Sequence, residues 1–341
     1  GGALRVRRQA GAHWRGQLGV ATISPGLDLF DIATQRRGDR VEVDGSVSYL
    51  QQTPGTFWRY WEVSGAARRE FNYDGQHIFS QVAAVGYFQH LTYWNALVTA
   101  SWEPPALDDR LTRGGPLARR PAARWIDASF NSDFRKPVTF SAGVFLQRAH
   151  GGGATSEGSV GVTLKPSTRW FLSVGPSLSH VRVPAQFLGS VSDTTPAALF
   201  GRRYLFSPLE HTSLRLDTRF NYTFDPELSL EVFLQPLISA VNFDETTRYL
   251  AAPRTFRFVD DPVTNVRGSD FNVRSLRGNA VLRWEYRPGS TLYLAWQQRR
   301  ESFQQGVRGI GDFDPGRDPR ALLDAAPDNV LVLKVTYWLN P

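Results

Sequence analysis

Cysteine and methionine are both absent from the 341 residues. The first absence excludes disulfides, thiolate nucleophiles and cysteine-ligated zinc. The second extends to position 1, where the chain opens Gly1-Gly2. The expectation is a processed product or a fragment, with any export signal upstream. Lysine is scarce: Lys136, Lys165 and Lys334 are the only three, so the net charge of +7 rests on arginine. Many of the arginines sit singly on polar strand faces, Arg215, Arg219, Arg277 and Arg283 among them, and they form no basic run with interleaved aromatics, which argues against nucleic acid as a partner. No run of about 18 apolar residues occurs, which excludes a transmembrane helix.

What the chain does have is alternation. From Leu276 one parity reads Leu276, Gly278, Ala280, Leu282, Trp284, Tyr286 and the other Arg277, Asn279, Val281, Arg283, Glu285, Arg287. Successive strand side chains point to opposite faces, so one face is apolar with aromatics at its end and the other is charged. Leu292, Leu294 and Trp296 resume the pattern after the turn Arg287-Pro288-Gly289-Ser290, and Leu331, Leu333, Val335, Tyr337 and Leu339 repeat it. Upstream, Leu214, Leu216, Phe220, Tyr222 and Phe224 alternate with Arg215, Asp217, Arg219, Asn221 and Thr223. Leu228, Leu230, Val232 and Leu234 alternate with Ser229, Glu231 and Gln235.

Two arrangements fit such strands. In a soluble sandwich the apolar face is the core; in a membrane barrel it meets lipid and the polar face lines the interior. The alternation runs over about nine to twelve residues per strand, the length of a tilted bilayer-spanning strand, whereas globular strands average about five or six. Connections also alternate in length. Tight turns near Pro54, His90, Phe134, Pro166, Pro226 and Gly289 alternate with mostly longer links near 30, 74, 110, 152, 190, 255 and 315. Outer-membrane barrels have short turns on one side and long loops on the other. Keeping that alternation requires Arg203–Phe206 to be a bulged extension of the Leu214–Phe224 strand. Pro319–Ala325 offers one short helical turn.

Several pieces carry a resemblance. They are Gln35-Arg36-Arg37-Gly38-Asp39, Gly114-Gly115-Pro116, Asn131-Ser132-Asp133-Phe134-Arg135 and Gln235-Pro236. Stronger are Leu282-Arg283-Trp284-Glu285-Tyr286-Arg287-Pro288-Gly289-Ser290, Gly316-Arg317-Asp318, Asp328-Asn329 and Tyr337-Trp338-Leu339-Asn340-Pro341. Over nearly the whole chain this resembles the C-terminal barrel of an uncharacterised outer-membrane family, catalogued as a domain of unknown function. In that family the barrel commonly follows a module similar to family-nine carbohydrate-binding modules, which this chain lacks. The resemblance implies carbohydrate or another polymer as a partner, reached through the upstream module. It brings no catalytic residues.

Chemistry-bearing clusters are sparse. The six histidines show no His-x-x-x-His pair, and the spacing of three puts His77 and Ser80 on opposite faces of a regular strand. Asp312, Asp314 and Asp318, with Asp260, Asp261 and Asp270, could offer oxygen ligands to calcium, but their spacing fits no EF-hand and reads as solvated loop carboxylate.

The expectation is therefore one all-β domain over residues 1–341. It is a transmembrane antiparallel up-and-down β-barrel of about 15–16 strands, a fragment of a larger or complete barrel, in the outer membrane of a Gram-negative-type bacterium. It acts as a pore or anchor without enzymatic activity, cofactor or metal. Leu214, Leu216, Phe220, Tyr222, Leu228, Leu230, Val232, Leu282, Trp284, Leu292, Leu294, Leu333 and Val335 are expected to face outer-membrane lipid. Arg215, Asp217, Arg219, Glu231, Arg277, Arg283 and Glu285 are expected to face the lumen and form mixed-sign contacts across strands. With fifteen strands the termini fall on opposite sides. The further expectation is an odd number of additional strands upstream of Gly1, since single-chain barrels close with even numbers. The competing expectation is a soluble all-β carbohydrate-binding or carbohydrate-active protein.

Overall fold

The computed structural model describes residues 1–27, 37–195, 199–262 and 269–339. The motif residues Gln35, Arg36, Asn340 and Pro341 lie outside them. The strands are β1 (Gly2–Arg8), β2 (Trp14–Ile23), β3 (Arg40–Gln51), β4 (Trp58–Phe71), β5 (His77–His90), β6 (Asn95–Glu103), β7 (Ala106–Asp108), β8 (Ala118–Arg120), β9 (Ala123–Asn131) and β10 (Val138–Ala149). There follow β11 (Ala154–Ser167), β12 (Trp170–Ser192), β13 (Arg202–Asp225), β14 (Leu228–Phe243), β15 (Arg248–Leu250), β16 (Phe258–Asp260), β17 (Phe271–Arg287), β18 (Ser290–Gln305) and β19 (Asp328–Val335). One helix, α1 (Arg317–Asp324), precedes the last strand.

Apart from the three-residue β7, β8, β15 and β16, each strand pairs antiparallel with the next long strand in the chain. The result is a single up-and-down sheet of fifteen long strands, the number and order the alternation predicts. The sheet is not closed. Among the described residues β1 pairs only with β2 and β19 only with β18, so each presents a free outer edge.

Tight turns follow local chemistry. At Asn72-Tyr73-Asp74-Gly75 the Asn72 side-chain oxygen accepts the Gln76 N–H at 2.8 Å, and Gly75 takes φ +74°, which a Cβ would resist. The segment Arg203–Phe206 continues into β13 as expected, but the bulges sit on its partner, β12, between Val183 and Gln186 and between Phe187 and Gly189.

The long loops converge at one end of the sheet. β7 and β8 form a small ribbon, and β15 and β16 a second one that joins the extension of β13. Tyr204, Phe206, Leu250, Ala118 and Ala185 are buried together there, with Phe187, Phe256 and Phe258 packed against them. Arg119 N–H donates to the Thr255 carbonyl at 3.0 Å and Arg254 N–H to the Leu117 carbonyl at 2.6 Å. The loops that touch belong to β6/β9 and to β14/β17, with β10 to β13 between them in the sheet. A flat sheet would hold them about 20 Å or more apart at 4.8 Å per strand. The sheet therefore curls until the two loops meet.

Gly115 lies against the Tyr204 ring, which occupies the space a Cβ would need. Gly115→Ala is expected to loosen this loop packing by about 1–3 kcal/mol. Faster amide exchange over residues 106–120, with strand protection unchanged, would register it.

Candidate functional site

The two faces of the sheet are chemically distinct, and register makes each continuous. Tyr222 lies opposite Leu230, Leu230 opposite Leu282, Leu282 opposite Leu294, and Leu294 opposite Leu333. A second row runs Leu228, Trp284, Leu292, Val335, and Phe220 pairs with Val232. Leu214 and Leu216 share their parity on β13, opposite Leu178 and Pro176. The apolar set predicted from sequence thus forms one surface. No second layer covers that surface among the described residues: Trp284 is 46% exposed, Val335 56% and Leu333 62%, and the other predicted members are half-buried against their neighbours in the sheet. The accessible area of the chain is 20711 Å², against about 14,000 Å² for a compact water-soluble monomer of 38.2 kDa.

The apolar surface is a band with two unlike rims. Toward the tight turns it ends in aromatics. Trp14 packs on Tyr49 at 5.1 Å, Tyr49 on Trp61 at 5.4 Å, Trp94 on Phe130 at 5.2 Å, Tyr222 on Phe224 at 4.6 Å and Trp284 on Tyr286 at 6.0 Å. Toward the long loops the same parity turns polar. Val63, Gly65 and Ala67 give way to Arg69, Ile126 to Arg124, and Leu146 to Arg148. Leu178 gives way to His180 and Arg182, Leu276 to Arg274 and Asn272, and Trp296 to Gln298 and Arg300. These arginines are the feature sequence reasoning missed, although their parity already separated them from the arginines of the polar face.

Part of this polar rim is covered. Residues from about 307 to 325, with α1, lie on the ends of β14, β17 and β18. Arg274 and Asp318 are both fully buried and joined at 2.8 Å; Arg274 also donates to Gln304 at 3.1 Å. Asn272 donates to the Ile310 carbonyl, Asn242 to Asp312, and Arg300 to the Leu323 and Ala325 carbonyls. Asp314 accepts the Gly316 and Arg317 N–H groups at the start of α1, which is two residues earlier than Pro319–Ala325 implied. Burial pushes the Asp318 carboxyl up, but hydrogen bonds from Arg317, the Asp314 N–H and Arg274 outweigh it and hold the group at about 2. The other loop aspartates are likewise engaged one by one: Asp260 with Arg248, Asp261 with Arg203, Asp270 with the Phe243 N–H.

On the polar face the predicted residues share a parity but pair along strands more than across them. Arg215 lies 3.8 Å from Asp217 and Arg283 3.1 Å from Glu285, both two residues apart. Across strands, Gln235 donates to Asp217 at 2.6 Å, and Arg219 sits over the Phe233 ring at 5.5 Å. Glu231 lies opposite Asn221, and Arg277 opposite both Gln235 and Arg299. The reason is geometric: cross-strand partners of these arginines are mostly neutral, so the nearest carboxylate is the i+2 neighbour on the same face.

A denser cluster stands on β3 to β5. Arg40 contacts Glu42 and Glu70, Arg68 contacts Glu70, and Arg37 pairs with Asp109 of the loop holding β7. Arg68 and Arg120 both lie over the Phe79 ring, at 4.7 and 5.6 Å. The β7–β8 ribbon therefore rests on the polar side of the sheet.

One expectation is corrected. His77 Nε2 and Ser80 Oγ are 2.7 Å apart and not on opposite faces. The register slips from Glu70–Phe79 to Phe71–His77, and this bulge rotates His77 toward the serine. The same nitrogen lies 3.1 Å from the Phe79 carbonyl oxygen, so a ring N–H directed there leaves no lone pair for the serine proton. No carboxylate orients the ring among the described residues, and the pair is not arranged as a nucleophile with its base.

No curated protein and no solved structure matches the sequence. The profile described as Domain of unknown function (DUF5916) matches residues 3–340. The chain belongs to that family.

Proposed function

We propose that this chain forms the wall of a β-barrel in a bacterial outer membrane, with the apolar band in lipid and the polar face lining the interior. One observation carries the reading: an exposed apolar band bounded by aromatics at one rim and by arginine, asparagine and histidine at the other. Along β12, Leu172 and Arg182 are ten residues apart. That is about 34 Å of strand, or about 25 Å of height once tilted as barrel strands are, which is the thickness of a barrel's lipid-facing band. In water the same surface would be an aggregation liability. Lipid also requires that the outer edges of β1 and β19 find partners, since each unsatisfied backbone group there costs several kcal/mol.

The interior serves as a passage narrowed at the long-loop mouth by the β7–β8 ribbon, or as an anchor beneath it. The resemblance described above ties either role to carbohydrate or polymer handling through an upstream module. The test is physical. The purified chain should float with phosphatidylcholine vesicles and shift its gel mobility on heating; remaining in the aqueous fraction would favour the soluble all-β carbohydrate-binding alternative. If the interior is open, conductance in planar bilayers should favour anions. Of the polar-face residues named above, Arg219 and Arg277 carry no ion pair among the described residues against one such acid, Glu231, while Asp217 and Glu285 are matched by Arg215 and Arg283. Absence of conductance would leave the anchoring role.

A further inference from the structure

Arg124 and Arg148 occupy directly opposed positions on β9 and β10, on the same side as the apolar band. Like charges directly opposite each other in a sheet destabilise it unless something neutral or negative intervenes. Two other rim arginines meet a carboxylate: Arg182 pairs with Glu210 at 2.6 Å, and Arg274 with Asp318; Arg300 donates to backbone carbonyls and Arg69 lies over the Phe71 ring. For Arg124 and Arg148 no carboxylate partner stands within reach among the described residues. Among the described residues Arg148 donates to the Gln147 carbonyl, at 3.3 Å.

The two guanidinium groups stand at the end of a cleft of about 820 Å³ in the apolar surface. Ala100, Trp102, Ile126 and Leu146 line it beside them. Trp102 is paired with Arg124 in register, so an aromatic ring, two cations and an apolar trough lie side by side. A free inorganic anion would use the arginines and leave the trough empty. A hydrocarbon would fill the trough and leave the arginines unmet. An amphiphile with an anionic head and an acyl tail satisfies both.

We infer that this cleft binds one anionic membrane phospholipid, its headgroup phosphate between Arg124 and Arg148 and an acyl chain along Ala100, Ile126 and Leu146. The inference rests on the barrel reading, because the arginines then lie at headgroup level and the cleft opens into the acyl layer. Arginine suits the role through its planar fork, which holds phosphate oxygens in pairs.

The experiment uses the full chain in a neutral detergent, exposed to equal amounts of phosphatidylglycerol and phosphatidylcholine. Retained lipid is counted by native mass spectrometry. The wild-type chain should keep one phosphatidylglycerol in preference to phosphatidylcholine. The double variant Arg124→Gln/Arg148→Gln should lose that preference by roughly thirtyfold, from about a fivefold contribution per arginine near a charged lipid surface. Arg124→Lys/Arg148→Lys should retain most of it, and Ala100→Phe should weaken retention with both arginines in place. Both arginines are exposed, so the variants should keep the heat-modifiable mobility that certifies folding. Equal retention of the two lipids by the wild-type chain, or an undiminished preference in the double glutamine variant, overturns the site while leaving a floating chain in the membrane. A chain that fails to float with vesicles overturns the barrel reading, and the lipid site falls with it.

Discussion

Replacing Asp318 by alanine will release α1 from the outer ends of β17 and β18. The substitution strands the Arg274 guanidinium, which is fully buried and among the described residues otherwise meets only Gln304 and a long contact to Ser302. Breaking a buried pair by removing one partner costs about 3–5 kcal/mol, because the remaining charge is left desolvated. The cost falls first on the docked segment, whose other ties among the described residues are hydrogen bonds from Asn242, Asn272 and Arg300 and the burial of Ile310 and Leu322. Amide exchange over residues 307–325 should accelerate by roughly two to four orders of magnitude. Protection in β3 to β5 should be unchanged. Unaltered exchange in the 307–325 segment would mean that the pair does not hold it. A double substitution to apolar residues of similar volume, such as Arg274→Met with Asp318→Leu, should cost far less than either single change.

The same pair gives a pH dependence with a definite sign. Asp318 is held at about 2 in the folded chain, while an unfolded aspartate titrates at about 3.9. A carboxyl with a lowered folded value contributes its stability in full above the unfolded value and loses it as pH falls through the folded one. Docking of α1 should therefore be constant from neutrality to about pH 4 and weaken between about pH 4 and pH 2. In Asp318→Asn that acid-dependent step should be missing.

The strands were legible because their signal is local. Period-two alternation on Leu214–Phe224, Leu228–Leu234 and Leu276–Tyr286 needs no knowledge of what lies across the sheet, and the order of pairing follows from alternating link lengths. What could not be read depends on contacts distant in sequence. The β7–β8 and β15–β16 ribbons are three residues per strand and exist because Arg119 and Arg254 find carbonyls on each other's loops. The docking of α1 depends on Arg274 and Asp318, which the linear pattern does not connect. The His77–Ser80 contact follows from a bulge that parity counting assumes away. The rim arginines are a different case. Arg124 and Arg148 stand on the apolar parity, two positions beyond Ile126 and Leu146, but their dispersal among the other arginines hides that they are opposed across β9 and β10.

The strongest discrimination between lipid and water at the apolar band comes from Leu216→Arg. Leu216 lies on β13 about midway between the aromatic rim at Tyr222 and the polar rim at Glu210, opposite Pro176. Among the described residues no second layer packs on the apolar face at this level, where Leu216 is half-buried between its strand neighbours, so the structure permits an arginine there. Its energetic cost is then set by the solvent alone. Facing water, the substitution should change stability by no more than about 0.5 kcal/mol, as surface changes away from special features do. Facing the bilayer midplane, an arginine should cost about 2–4 kcal/mol. Asn221→Arg, on the polar parity of the same strand and beside Glu231, is the control and should be close to neutral in either medium. Both variants would be unfolded with denaturant in lipid vesicles and followed by the loss of heat-modifiable mobility. A midpoint lowered for Leu216→Arg and kept for Asn221→Arg assigns the apolar parity to lipid. A neutral Leu216→Arg beside a damaging Asn221→Arg would reverse the faces, and the barrel reading would fail with that result.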